Sequence, residues 1–212
     1  MKGKHTQTLA VIPAVHKAGR TIYISGNRFG EKGIRFAFVP FMECRHSVWS
    51  MWHAVRGTVD INGQEYSFQN ALGYWEGDRG KSFPKRYIWT QCCFPEGSLM
   101  LSVADIPMAG SYFTGIIGFV LWKGKEYRIA TYLGARVVQI QNKIVRIIQG
   151  SLELEVRLLK VSSRPLKAPK DGDMMRTIHE SAACRVYYRF CVRTGTLFCF
   201  ETDRASFEYE YV

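Results

Sequence analysis

The feature that most constrains this chain is the regular return of tight-turn dipeptides between short alternating runs. "VDINGQEYSF" (59–68) turns at Asn62-Gly63, "FVLWKGKEYRIA" (119–130) at Lys123-Gly124, and "RFCVRTGTLFCFET" (189–202) at Thr194-Gly195. "VVQIQNKIVRIIQG" (137–150) reads as a further pair around Asn142-Lys143. Asn-Gly between alternating apolar residues is the strongest short hairpin signal. "SLELEVRLLK" (151–160) and "SFEYEYV" (206–212) alternate with the period of two that a half-buried strand requires. No window of a dozen residues carries a helical stripe. "MMRTIHESAACRVYYRF" (174–190) comes nearest, and its β-branched and aromatic tail limits it to a short helix at most, followed by a strand. "SSRPLKAPKDGD" (162–173), rich in Pro, Gly and Lys, is expected to be the longest loop. The fold class is therefore all-β with little helix: about ten strands in an antiparallel up-and-down sheet. A sheet of that size loses its edges by closing into a barrel, with room inside for a small ligand.

Composition narrows the setting. Residues 98–122, "SLMLSVADIPMAGSYFTGIIGFVLW", are long enough to span a membrane, but Asp105, Pro107 and three glycines divide them into two buried strands. The apolar run near the N-terminus is too short for a signal peptide and is broken by Pro13 and His16, so a cytoplasmic protein is expected. Residues 1–34 read as N-terminal strands, the remnant of a first barrel, and residues 35–212 as the barrel domain. Six cysteines without a CxxC pair are expected to be reduced thiols filling the core. The net charge of +11 attracts anions in general. Its Lys and Arg residues are dispersed and match no nucleic-acid-binding motif, so no nucleic acid is expected. Weak contact with an anionic membrane surface and assembly into a homo-oligomer stay open.

Residues 73–91, "GYWEGDRGKSFPKRYIWTQ", mix large aromatics, acids and bases around glycines and a proline. A core strand would not hold so many charges, and a dispensable loop would not hold so many rings. With its flanks, "EYSFQNALGYWEGDRGKSFPKRYIWTQCCF" (65–94) resembles the hallmark segment of the tocopherol cyclase family. There an aromatic strand leads to Tyr-x-Glu-Lys-Asn-Trp-Gly, then Phe-Pro, then Trp-x-Gln-Cys-Asn. Tyr74, Glu76, Gly80, Phe83, Pro84, Trp89, Gln91 and Cys92 match, while Gly77-Asp78-Arg79 stands for Lys-Asn-Trp and Tyr87 for a Trp. "LKAPKDGDM" (166–174) and "ASFEYE" (205–210) are similar to later family segments. The resemblance implies a divergent or shortened member of a lipocalin-like superfamily, an up-and-down β-barrel often present twice in one chain. It also implies closure of a chroman ring on a prenylated quinol, without a cofactor.

Such chemistry needs a carboxyl kept protonated in an apolar pocket, and aromatic faces around the cation that forms. Glu76 and Asp78 are the candidate proton donors. Tyr74, Trp75, Arg79, Tyr87, Trp89, Gln91 and His46 are the candidate ligand-binding residues. Arg79, Lys81, Lys85 and Arg86 are placed to orient a polar or acidic head group at the mouth. Against this, Glu76 beside Arg79 also reads as a salt-bridged turn. Alternation puts Tyr87, Trp89 and Gln91 on one face, which suits a barrel lumen, and Ile88, Thr90 and Cys92 on the other. His46, with Glu43, Cys44 and His53, invites a metal, but alternation splits the four between two faces and none is expected. The function so implied is binding of a hydrophobic, prenylated or lipidic, small molecule in a barrel lumen, with cyclisation by alkene protonation. A non-catalytic carrier or sensor of an apolar ligand is the alternative.

Overall fold

A computed structural model of the chain describes residues 23–24, 44–108 and 110–211. The first of its strands are β1 (Tyr23–Ile24), β2 (Cys44–Ile61), β3 (Gln64–Gly80), β4 (Tyr87–Phe94), β5 (Gly97–Met108) and β6 (Ser111–Trp122). There follow β7 (Lys125–Ala130), a 3-10 turn (Thr131–Leu133), β8 (Arg136–Gln141), β9 (Ile144–Gln149) and β10 (Leu152–Lys160). The last are β11 (Arg164–Lys170), β12 (Asp173–Val192) and β13 (Gly195–Tyr209). The expected dipeptides make the turns, with positive φ at Asn62, Gly63, Lys123, Gly124, Asn142, Lys143 and Gly195. No helix among the described residues is long and apolar enough to cross a membrane. The expected N-terminal strands lie outside the described residues, except that Tyr23 and Ile24 pair with Arg56 and Val55 of β2.

All pairings are antiparallel. One sheet is β1-β2-β3; the other runs β7-β6-β5-β4-β13-β12-β10-β9-β8, with β11 also on β12. Chain neighbours pair in turn, and β13 returns to β4, which is the up-and-down order. The expected closure into a barrel is not seen, because the end strands β7 and β8 share no ladder. One side chain of β9 crosses the gap to the end of β7. The Gln149 side chain accepts from the Ala130 N–H (2.8 Å) and donates to the Arg128 carbonyl (2.9 Å), so it occupies β7 groups that an adjacent strand would use.

Two further expectations are corrected. Residues 174–190 contain no helix: they belong to β12, whose first half pairs with β11 and second half with β10, while β13 lines its other side. Register shifts between Ser181 and Cys184, and again between Cys184 and Val186, disrupt its period of two. Residues 164–170 form an edge strand instead of a loop; Pro165 and Pro169 are tolerated there because an edge leaves N–H groups unpaired.

The ten-stranded sheet curls round one dry core. Ile88, Cys92, Leu99, Val120, Val156 and Tyr188 are buried in it. A ring of aromatics fills the centre, with Phe94 5.3 Å from Phe198 and 5.0 Å from Phe200, and Tyr127 5.3 Å from Phe190. The one deep hydroxyl pair, Thr90 and Tyr188 (2.6 Å), satisfies itself. The interior is thus packed with side chains where an open lumen was expected. Strand ends are tightly fitted too. A Cβ at Gly97 would stand 1.8 Å from the Leu121 carbonyl oxygen, a backbone atom that cannot swing away. Gly97→Ala is expected to cost roughly 2–3 kcal/mol, the upper range for overpacking. A lowered urea midpoint would show it, and an unchanged midpoint would show that the β5 end shifts freely.

Candidate functional site

The β2–β3 hairpin lies across the outer face of β4, β5 and β6. Val48, Met51 and Tyr74 of the hairpin pack there against Trp89, Met100, Ile117 and Phe119. Beside this second cluster is a cavity of about 110 Å³. Its acidic and aromatic wall is His46, Glu76, Asp78, Tyr87, Trp89 and Glu208, and Phe83, Pro84, Ile106 and Ile117 line it as well. Tyr87 and Trp89 of β4 line the cavity while Ile88, Thr90 and Cys92 face the core, which corrects the expectation of a lumen-facing Trp89. Alternation separates two faces but does not say which is inside, and here both are covered.

Register assembles the polar groups. His46 is directly opposite Asp78, and Val48 opposite Glu76, so both carboxylates share the His46 face. His46 Nδ1–H donates to Asp78 Oδ1 at 2.8 Å. Nε2 lies 3.0 Å from Glu76 Oε2 but off the line of its N–H, so that contact is an ion pair and not an aligned hydrogen bond. Burial pulls the His46 pKa down, but the hydrogen bond to Asp78, the close contact with Glu76 and the charges of both outweigh it and lift it to about 10. His46 is therefore an imidazolium at neutral pH. Glu76 also accepts from Tyr74 Oη at 2.5 Å. The partners of Glu76 are thus His46 and Tyr74, and the anticipated pairing with Arg79 is replaced. Cys44 lines the cavity as a neutral thiol, pushed up to about 12 by burial and then by Asp78.

The third carboxyl comes from the far end of the chain. Glu208 of β13 is directly opposite Trp89 of β4 and Glu180 of β12. Tyr87 Oη donates to Glu208 Oε2 at 2.5 Å, and burial followed by the Glu208 charge raises the Tyr87 hydroxyl, which stays protonated. Burial raises the Glu208 pKa to about 7; the Tyr87 bond opposes this, while Glu180, Asp78 and Glu76 add to it. Asp105, also in the wall, is held by Arg86 (2.7 Å) and by the Tyr211 hydroxyl (3.1 Å).

Residues 81–86 form the bend between β3 and β4, and the β11–β12 hairpin clamps it. The Arg176 guanidinium donates to the carbonyls of Phe83, Pro84 and Lys85, and the Gly172 N–H donates to the Lys81 carbonyl. The Phe-Pro and Leu-x-Ala-Pro motifs thus meet in space.

Of the expected site residues, Glu76, Asp78, His46, Tyr87 and Trp89 converge on the cavity. Tyr74 reaches it through Glu76, whereas Trp75 stacks on Trp49 at 5.2 Å and Gln91 donates to Cys93 Sγ. Arg79, Lys81, Lys85 and Arg86 are exposed and outside its wall. Gly77 has a local reason: a Cβ there would come within 2.7 Å of the Trp49 ring, so the Lys of the family motif would displace that indole. Glu208 was in view in "ASFEYE" but unassigned, since only the β13–β4 pairing joins it to Tyr87. Among the described residues, no group of three or more His, Cys, Asp or Glu side chains is arranged to hold a metal; Glu43 lies outside them. All six cysteines are free, with Cys92 and Cys184 buried.

Comparison with known proteins bears on the same region. Residues 36–111 match the family model for tocopherol cyclase-like proteins. A probable chloroplastic tocopherol cyclase of Oryza sativa subsp. japonica is 25% identical over 105 residues, which is 46% of this chain and 22% of that protein. The match therefore spans about a fifth of the rice protein's length. Among solved structures, the crystal structure of kievitone hydratase from Nectria haematococca aligns with a TM-score of 0.49 and 9% identity, covering 79% of this chain and 53% of that one. The family match takes in β2 to β5, hence the hairpin and most of the cavity wall. Residues 36–111 are thus tocopherol cyclase-like, and the chain is similar to a tocopherol cyclase over just under half of its own length.

Proposed function

We propose that this chain holds the reacting end of a hydrophobic, prenylated or lipidic ligand in the partly open cavity beneath the β2–β3 hairpin, with the rest of its tail outside, and closes a ring on it by acid catalysis. The observation that carries this reading is Glu208: a carboxyl with a pKa near 7, beside Tyr87 and Trp89 in a largely apolar wall. Burial keeps this carboxyl protonated to a higher pH than an ordinary glutamate, which suits a general acid. Its proton adds to an isolated double bond, and a phenol oxygen of the same ligand traps the tertiary cation. The phenol proton then returns to the carboxylate, so the product is an isomer and no cofactor is consumed. Glu76 and Asp78, held by His46, face the cation, with the rings of Tyr87 and Trp89 beside it.

A carrier without chemistry is favoured by one observation, that both Glu76 and Asp78 are engaged by His46. Incubation with a panel of prenyl quinols separates the two. Cyclisation yields a product of unchanged mass with one phenol hydroxyl fewer, whereas a carrier returns the quinol intact. In both cases Trp89→Ala is expected to weaken quinol binding about tenfold to a hundredfold, the worth of one buried aromatic contact. Undiminished affinity in that variant would move the ligand away from this cavity.

A further inference from the structure

The cavity wall has a charge of its own, opposed to that of the molecule. The chain carries 29 Lys and Arg against 18 Asp and Glu. Yet the described wall includes four carboxyl residues, Glu76, Asp78, Asp105 and Glu208, one histidine, and no Lys or Arg. The four come from β3, β5 and β13, so no single stretch of sequence displays the cluster. His46 offsets one of the two charges on Glu76 and Asp78, and Arg86 offsets Asp105 from outside the wall. At least one negative charge is left over, and ionisation of Glu208 adds another. The faces of Tyr87 and Trp89, negative in their quadrupoles, complete a surface suited to positive charge.

We propose that the cavity selects apolar ligands whose polar end is cationic, an aliphatic or prenyl amine protonated at neutral pH, and that it rejects anionic amphiphiles. The proposal rests on the reading of this cavity as the ligand site, and it replaces the acidic head group expected from the basic residues of 79–86. An ammonium placed between Asp78 and Glu208 gains an uncompensated counter-charge and two ring faces. A carboxylate in the same place meets Asp78 and Glu208, and the one cation of the wall, His46, is already engaged by Glu76 and Asp78, while Arg79, Lys81 and Lys85 are exposed outside it. The same electrostatics would stabilise a cation formed during ring closure, so an amine would mimic it.

The test uses three ligands with one tail: dodecylammonium, dodecanol and dodecanoate, each below its micellar concentration, at pH 7.5 and physiological salt. Binding is read from tryptophan fluorescence and checked by calorimetry. Dodecylammonium is expected to bind at least tenfold more tightly than dodecanol, and dodecanoate most weakly, although the molecule as a whole attracts anions. Asp78→Asn and, separately, Glu208→Gln are expected to shrink the ammonium's advantage over dodecanol several-fold. Dodecanoate binding as tightly as dodecylammonium would overturn this selectivity and leave the ligand site standing. Failure of all three to bind would overturn the ligand site itself, and the selectivity with it.

Discussion

Replacing Glu208 with Gln is expected to lower turnover of a cyclising substrate by at least a hundredfold, while affinity for that substrate stays within about twofold. Loss of a positioned general acid is worth roughly 10²–10⁴ in rate. In the unaltered protein the rate should fall as pH rises through about 7, because only the protonated carboxyl donates. The same residue gives a signal that needs no substrate. Its folded pKa of about 7 lies above the ordinary 4.5. Its contribution to stability is therefore fully present below pH 4.5 and lost as pH rises through 7. Gln mimics the protonated form at every pH. Glu208→Gln should thus match the parent near pH 4.5 and exceed it at pH 8 by about 1–2 kcal/mol, reduced from the full linkage because the side chain is only partly buried. Urea midpoints at the two pH values decide it. A stability difference that does not change with pH would mean that Glu208 ionises normally, and the acid would have to be sought elsewhere.

Removing His46 should damage the protein more than removing either of its acids. His46→Leu leaves Glu76 and Asp78 on one face with no cation between them. Breaking a fully buried pair costs roughly 3–5 kcal/mol. Asp78 is 36% exposed, so the expected loss here is about 2–3 kcal/mol at pH 6. The sign follows from the raised pKa. The His46 contribution is complete below its unfolded value of 6.5 and disappears as pH rises through about 10. The gap between parent and variant should accordingly narrow above pH 10. If the two proteins stay equally far apart from pH 6 to 10.5, packing and not charge is what His46 supplies.

Local chemistry made the strands and hairpins legible, and non-local pairing hid the rest. Asn62-Gly63 and Asn142-Lys143 announce their turns because those conformations are demanding wherever they occur. β12 was harder to read, since its register shifts around Cys184 break the alternation from which a strand is recognised. Pro165 and Pro169 disguised β11, which is tolerant of proline only because it is an edge. Tyr87 and Trp89 were assigned to one face correctly, but nothing local says that the β2–β3 hairpin covers that face. The acids Glu76 and Asp78 stand beside their aromatic neighbours in sequence, whereas Glu208 lies 121 positions from the tyrosine that it binds.

One strand of eight residues, β4, serves two masters. Its even-numbered residues Ile88, Thr90 and Cys92 belong to the dry interior, and its odd-numbered Tyr87 and Trp89 belong to the cavity. Packing of the core and lining of the cavity therefore interleave position by position along a single backbone. A change at 89 reaches the cavity and the small cluster under the hairpin but not the main core, and a change at 88 or 92 reaches the main core but not the cavity wall. Along β4 the cavity wall can therefore be altered at 87 and 89 while 88, 90 and 92 keep the core.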